Sequence, residues 1–268
     1  MNDFPLWRVE GRKFILTDFG KETLIQDYNL GYTQLKLCKK FNVSEDVIRR
    51  WMQENNIATR TRKYSLNENY FAKIGSPECA YWVGFLSADG YISGRGELTL
   101  ELQERDRGHV EKFKKAIGSS APIRTIKCGE FKQFTHHRIY VRSKKMVADL
   151  NIYNIVPNKS LIFVPKNIPE NLFKYWIVGY MDGDGCILLS KGRIKISFTG
   201  TYETLSIIKE FFQSNNQLRK EHRCENNTYS FTLEVAKSEQ FLSKINYKNL
   251  PFALERKKAL LPLLFSNE

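Results

Sequence analysis

Two aspartates, Asp89 and Asp184, carry the strongest chemical signal in the sequence. Each closes an apolar, helix-like stretch and is followed by glycine, in "AYWVGFLSADG" (80–90) and "YWIVGYMDGDG" (175–185). A carboxylate at the end of a helix meets the negative pole of the macrodipole. Two such groups side by side repel, and at least one pKa must rise unless a cation is present. A divalent, oxygen-loving ion such as Mg²⁺ or Mn²⁺ resolves the conflict, and metal held by paired carboxylates suits phosphodiester hydrolysis. Gly84 and Ala88, and likewise Gly179 and Gly183, are small residues four apart. Each pair lies on one helix face and lets two backbones approach closely, so that Asp89 and Asp184 emerge together.

The elements that would position them are duplicated. A shift of 95 residues lays Asp89 on Asp184, Gly84 on Gly179, Val110 on Leu205, Lys114 on Lys209 and Arg124 on Arg219 without a gap. Each copy reads as helix, two strands, helix, two strands, helix. Ser76 and Pro77 open the first motif helix and Pro169 the second. Strands follow at 91–93 and 97–103, matched by 186–190 and 193–199. Helices are expected at 107–117 and 203–214, further strands at 123–128, 134–142, 218–223 and 229–236, and closing helices at 145–151 and 239–245. Leu98, Leu100 and Leu102, and Ile194, Ile196 and Phe198, alternate as strands with one buried face. The opposite faces present Thr99, Glu101 and Gln103, and Arg193, Lys195, Ser197 and Thr199. The expected class is α+β, with a duplicated αββαββα unit forming two antiparallel sheets, each backed by helices, behind a small all-α domain.

That front domain spans 19–65, followed by the repeats at 66–165 and 166–268; residues 1–18 suggest a strand in "RKFILTD" but no role. Three short helices are expected, at 21–29, in "TQLKLCKKF" capped by Thr33, and at 45–55 capped by Ser44. Leu35, Leu37, Cys38 and Phe41 should face inward, and Asn42 suits a left-handed turn. The spacing resembles the helix-turn-helix of resolvase-like and regulatory DNA-binding domains. That resemblance makes Ser44, Glu45, Asp46, Arg49, Arg50 and Gln53 candidates for base or phosphate contact, and Arg60, Arg62 and Lys63 an arm along the backbone.

Charge agrees with such a partner. The 268 residues carry 42 Lys and Arg against 29 Asp and Glu, a formal +13. Basic residues outnumber acidic ones by 12 to 8 in 1–65, 16 to 11 in 66–170 and 14 to 10 in 171–268. An excess spread this evenly fits an extended polyanion, with double-stranded DNA the best match. Five separated cysteines lack metal-ligand spacing and read as buried thiols in a reducing compartment. With no signal-peptide pattern and no membrane span, an intracellular, cytoplasmic and DNA-associated protein is expected, organellar origin remaining open. His109, His136, His137 and His222 read as solvated or DNA-facing.

The two stretches "WVGFLSADG" and "IVGYMDGDG" resemble the paired motifs of the LAGLIDADG homing endonucleases, over about 66–268. The resemblance implies a monomer whose sheets form a pseudo-twofold saddle on DNA and which hydrolyses both strands across the minor groove, using divalent cations bound by Asp89 and Asp184. It matches Ala88 and Gly183 to positions whose main-chain carbonyls also ligate metal. It places Glu104 and Thr199 nearest a water-positioning role. Arg142 and Lys237 match a charge-stabilising basic residue, with Lys144 left open. Arg124, Arg138 and Arg219 join the exposed strand residues as DNA contacts. Ser87 stands where the second motif has Asp182, so symmetric chemistry cannot depend on that position. Alternative functions are a non-cleaving transcription regulator on the same scaffold and an intron RNA maturase.

Overall fold

The computed structural model describes residues 5–57, 64–131, 133–221 and 227–261. The chain forms two compact units, 1–63 and 64–268.

The first unit joins a hairpin, β1 (Trp7–Glu10) and β2 (Lys13–Leu16), to helices α1 (Asp18–Asn29), α2 (Gln34–Phe41) and α3 (Glu45–Glu54). It is therefore not wholly helical. Leu6, Trp7 and Leu16 pack on the core of Leu24, Tyr28, Leu37, Phe41, Ile48, Trp51 and Met52. Two indole bonds fasten the hairpin: Trp7 Nε1 donates to the Phe41 carbonyl (2.7 Å) and Trp51 Nε1 to the Phe14 carbonyl (3.0 Å). Residues that suggested no role thus complete this core. Thr17 and Thr33 cap α1 and α2, accepting from the Gly20 and Lys36 amides. Asn42 ends α2 at φ 52°, as its tolerance of the left-handed region suggested. Ser44 occupies the cap position of α3 without a side-chain bond. Leu35 is 65% exposed, against expectation, because Leu37 and Phe41, four apart, already define the buried stripe.

The second unit is built around helices α4 (Pro77–Asp89) and α7 (Glu170–Asp184), which pack against each other along their length. After α4 come β3 (Gly90–Ile92), β4 (Glu97–Gln103), α5 (Arg107–Ala116), β5 (Arg124–Cys128), β6 (Phe134–Arg142) and α6 (Lys144–Ile152). After α7 come β7 (Gly185–Ser190), β8 (Arg193–Gly200), α8 (Tyr202–Phe211), β9 (Arg219–Lys220), β10 (Tyr229–Thr232), α9 (Val235–Lys244) and a short α10 (Glu255–Lys258). The sheets have the orders β3-β4-β6-β5 and β7-β8-β10-β9, all pairs antiparallel. The expected duplication and its two sheets are present.

In both sheets the strand residues alternate. Leu98, Leu100, Leu102, Ile139 and Val141, and Ile194, Ile196, Phe198 and Phe231, are buried in one continuous core with α4 and α7. Full burial of such side chains stabilises by about 1.5–3 kcal/mol each. Cross-strand partners share a face, so Thr99, Glu101, Gln103, Arg124, Arg138 and Arg142 stand together on the open face of the first sheet. Arg193, Lys195, Ser197, Thr199 and Arg219 do so on the second.

The fourth strand of the second copy is shorter than expected. The alternation Phe231, Leu233, Val235 suggested a strand to 236, but β10 stops at Thr232 and α9 starts at Val235. The Glu234 carboxylate accepts from Ser214 Oγ (2.8 Å) and the Asn215 amide (3.0 Å), and Ser238 Oγ takes the Ile196 amide (3.0 Å), turning the chain into the helix.

Candidate metal centre and nucleic-acid interface

The α4–α7 contact is closer than any side chain would allow. A Cβ on Gly84 would stand 2.0 Å from the Trp176 carbonyl oxygen, and one on Gly179 would stand 1.9 Å from the Tyr81 carbonyl oxygen. The two clashes are related by the 95-residue shift, so the helices cross on their own pseudo-twofold axis. Nearer the site, a Cβ on Gly183 would meet the Ala88 Cβ at 2.4 Å and Asp89 Oδ2 at 3.5 Å. The Asp89 carboxylate thus lies against the last turn of the opposite motif helix. Gly90 and Gly185 let the chain pass straight from helix to strand, since a Cβ at either would strike the Leu86 or Met181 carbonyl at 2.6 Å.

The architecture expected from the sequence, two four-stranded antiparallel sheets on a pair of crossed motif helices, is thus in place. Among solved structures the chain is similar to the LAGLIDADG meganuclease I-AabMI bound to uncleaved DNA, at 16% identity over 69% of this chain and 88% of that one, with a TM-score of 0.44. It is likewise similar to the homing endonuclease I-WcaI bound to its recognition sequence, at 14% identity, 72% and 87% coverage and a TM-score of 0.47. A third likeness is to mesophilic variants of the homing endonuclease I-DmoI, at 14% identity, 67% and 90% coverage and a TM-score of 0.40. No family model matches the sequence, and no curated protein does.

Two lysines beneath the aspartates escaped sequence reasoning. Lys159, 6% exposed, donates to the carbonyls of Gly90 (2.6 Å) and Ala88 (3.2 Å) at the end of α4. Lys257, 2% exposed, donates to those of Met181 (2.5 Å), Asp182 (2.9 Å) and Gly185 (2.7 Å) at the end of α7. Carbonyls only accept, so three such bonds use all three protons of an ammonium. Burial draws both lysine pKa values down, opposed by Asp184 and Asp89 at Lys159 and chiefly by Asp182 at Lys257. Each motif helix therefore ends on a buried cation, which meets the negative pole of the dipole where the aspartate aggravates it.

The carboxylates are accessible to solvent yet densely surrounded by protein. Desolvation, then repulsion by Asp89, pushes the Asp184 carboxyl up to about 6, while Lys159 and Lys257 pull it back. Desolvation also raises Asp89, opposed by Lys257, Lys159 and Arg256. The two carboxylates offer oxygen donors only, and the Ala88 carbonyl accepts from Lys159. Such a set fits Mg²⁺ or Mn²⁺.

Asp182 has a separate task. It is 1% exposed and accepts from Tyr81 Oη (2.8 Å), Tyr247 Oη (2.6 Å) and the Leu254 amide (2.8 Å). It thereby ties the segment carrying Lys257 to both motif helices. Ser87, its counterpart, donates to the Val83 carbonyl and accepts from Trp176 Nε1. His109 belongs to the same buried network, contrary to the solvated role expected of it. Tyr81 gives its proton to Asp182, so its oxygen accepts from His109 Nε2 (2.9 Å), and burial lowers the imidazole pKa to about 3. His137 is buried too, against Glu104 (2.7 Å).

Several proposed site residues are not brought to the aspartates. Lys237 lies in the first turn of α9, and its ammonium is held by the Phe212 and Gln213 carbonyls, the strand expected there having ended early. Arg142 pairs with Glu97, three rungs from the Gly90–Leu100 pair, about 10 Å along the strand. Glu104 is engaged by His137, whereas Thr199 stays near the aspartates, next to Phe198, the rung partner of Gly185, with its carbonyl accepting from Tyr180 Oη (2.9 Å). Lys144 begins α6. On the open faces, Arg138 pairs with Glu101 while Arg124 stacks on Tyr140, 5.0 Å from the ring centroid.

In the first unit Arg49 and Gln53 are exposed on α3, with Arg49 bonded to Glu45 and Asp46 (both 3.2 Å). Arg50 instead turns to the hairpin, donating to the Phe14 carbonyl (2.6 Å). Arg60, Arg62 and Lys63 lie outside the described residues. Cys79 is buried, Cys38 and Cys128 are half-buried and Cys186 is exposed, so the thiols are not uniformly internal. No helix among the described residues is long and apolar enough to cross a membrane.

Proposed function

We propose that this chain is a site-specific, metal-dependent endonuclease that hydrolyses both strands of double-stranded DNA. The observation that carries it is the meeting of Asp89 and Asp184 at the ends of two interlocked helices, each seated on a buried lysine. Two open, polar sheet faces flank that pair within one chain, so a monomer supplies both halves of the site.

Asp89 and Asp184 would hold Mg²⁺ or Mn²⁺, with the Ala88 and Gly183 carbonyls as further oxygen donors. When bound, the ion polarises the phosphoryl oxygen and lowers the pKa of its water. Lys159 and Lys257 hold the helix-end carbonyls and favour the ionised form of both carboxylates, and they offset charge accumulating beside the phosphate. Thr99, Gln103, Arg124, Arg138, Arg193, Lys195, Ser197 and Arg219 face the duplex, the arginines and Lys195 on phosphates or guanine edges. Glu101 suits a cytosine amino group once Arg138 turns to DNA. In the first unit Ser44, Glu45, Asp46, Arg49 and Gln53 on or beside α3 extend the contact, with Arg60, Arg62 and Lys63 following.

Selection from a randomised duplex library with Mg²⁺ tests this reading. Cleavage of a bound sequence should vanish in Asp89→Asn and Asp184→Asn while binding persists. Sequence-specific binding with no cleavage by the unaltered protein would return the regulator instead.

A further inference from the structure

A second group of metal-ligating side chains lies on the open face of the first sheet. Glu101 on β4, His136 on β6 and Cys128 on β5 bring a carboxylate oxygen, a ring nitrogen and a thiol sulfur within 4.8 Å of one another. The register explains the convergence. His136 is on the central strand, opposite Gln103 and Ile126, while Glu101 opposes Arg138 and Cys128 opposes Phe134. The three residues therefore form one diagonal across three strands, each two positions from the next, and all on the same face. Such diagonal neighbours are within reach of long side chains.

We infer that Glu101, Cys128 and His136 form a zinc-binding site. The donors differ in kind from those of the aspartate pair. Sulfur, imidazole nitrogen and a single carboxylate suit Zn²⁺, whereas an all-oxygen site suits Mg²⁺. Three protein ligands leave a fourth position for water. Zn–N and Zn–O bonds of about 2.0–2.2 Å and a Zn–S bond of about 2.3 Å put tetrahedral ligand atoms about 3.5 Å apart. The observed spread closes to that with rotamer adjustments alone, since all three side chains are half-buried rather than locked in the core.

Glu101 already accepts from His136 Nδ1 (2.9 Å) and pairs with Arg138. These bonds hold its carboxyl below the ordinary range despite desolvation, so the ligand is an anion at neutral pH. Binding exchanges the Glu101–His136 hydrogen bond for two metal bonds, the imidazole proton passing from Nδ1 to Nε2 through solvent so that the freed Nδ1 lone pair ligates. The Cys128 thiol becomes a thiolate and releases one proton to solvent, with no change of oxidation state. The Arg138 guanidinium is then free to turn outward.

Co²⁺ titration of the full chain, with Zn²⁺ back-titration, provides the test. One equivalent of Co²⁺ should produce a thiolate charge-transfer band and tetrahedral d–d bands, and one equivalent of Zn²⁺ should abolish both. Cys128→Ser should remove the charge-transfer band. His136→Ala and Glu101→Gln should each weaken Co²⁺ binding at least about 100-fold, the upper end of what loss of an outer partner does. Asp89→Asn should leave the spectrum unchanged. These are surface substitutions, and unaltered thermal melts would confirm folding. No charge-transfer band, or a band that survives Cys128→Ser and disappears in Cys186→Ser, would overturn the assignment.

Discussion

Replacing Gly84 by alanine tests the interface on which the site depends. The added Cβ would lie 2.0 Å from the Trp176 carbonyl oxygen and 3.0 Å from the Tyr180 amide nitrogen. Close carbon–oxygen contacts between backbones settle at about 3.3–3.6 Å, so the helices must part by roughly 1.3 Å. Backbone cannot swing aside as a side chain would, and the shift spreads along both helices. Overpacking of this kind costs about 1–3 kcal/mol, of which alanine's better helix propensity returns up to about 1 kcal/mol. At about 2–4 °C per kcal/mol for a unit of this size, Gly84→Ala should melt up to roughly 12 °C lower. Asp89 is five residues on, about 7.5 Å along the helix, and moves with it. A displacement near 1 Å costs on the order of 100-fold in rate.

Gly179→Ala should behave alike, and the double variant should lose less than the sum, because one separation relieves both clashes. Gly108 in α5 is the control, since a Cβ there meets nothing within 4 Å. Calorimetry and single-turnover cleavage read the two effects. A Gly84→Ala protein that melts at or above the unaltered one would refute the reasoning, and so would one that melts lower but cuts at the full rate.

Three further outcomes are expected. Asp182→Ala strands the Tyr81 and Tyr247 hydroxyls and the Leu254 amide, and should destabilise by about 3–5 kcal/mol in denaturant titration; a loss under 1 kcal/mol contradicts its anchoring role. Lys257→Met takes the lysine's hydrogen bonds from three carbonyls and removes a cation from the aspartates, so the pH midpoint of divalent-ion binding should move upward; calorimetry showing an unmoved midpoint would count against the lysine's electrostatic part. For Asp184, the folded pKa of about 6 exceeds the ordinary 3.8, so its stabilising contribution is complete below pH 3.8 and lost as pH rises through 6. Relative to Asp184→Asn, the apo protein should therefore lose stability between pH 4 and 7. Proton competition should weaken Ca²⁺ or Mn²⁺ binding about tenfold from pH 7 to 5, and a flat profile in either measurement removes the claim.

Much of the fold, and the approach of Asp89 to Asp184, could be read from the residues. The 95-residue shift, the alternating leucines of 98–102 and the small residues of the motif helices each follow from a local period, and local periods survive in sequence. Lys159 and Lys257 escaped because they are 98 positions apart, not 95. An ungapped shift therefore misses them, and nothing local marks a lysine that will bond to distant carbonyls. Lys237 was misassigned because apolar alternation continued past Thr232, while the Glu234 bonds that end the strand are tertiary. Asp182 was set aside on symmetry. Its partners, Tyr81, Tyr247 and Leu254, lie 101, 65 and 72 positions away.

The pairing of Ser87 with Trp176 and of Asp182 with Tyr81 makes the two halves mutually selective. Two copies of the second half would each set Asp182 against an indole instead of a phenol, and would lose the hydroxyl that His109 orients. Two copies of the first would bring neither Asp182 nor the segment it tethers. The motif helices are thus near twins whose best partner is the other twin. Fragments severed in the connector between Ile152 and Glu170 would reassemble as a mixed pair, the surface of each half serving as an address for its complement.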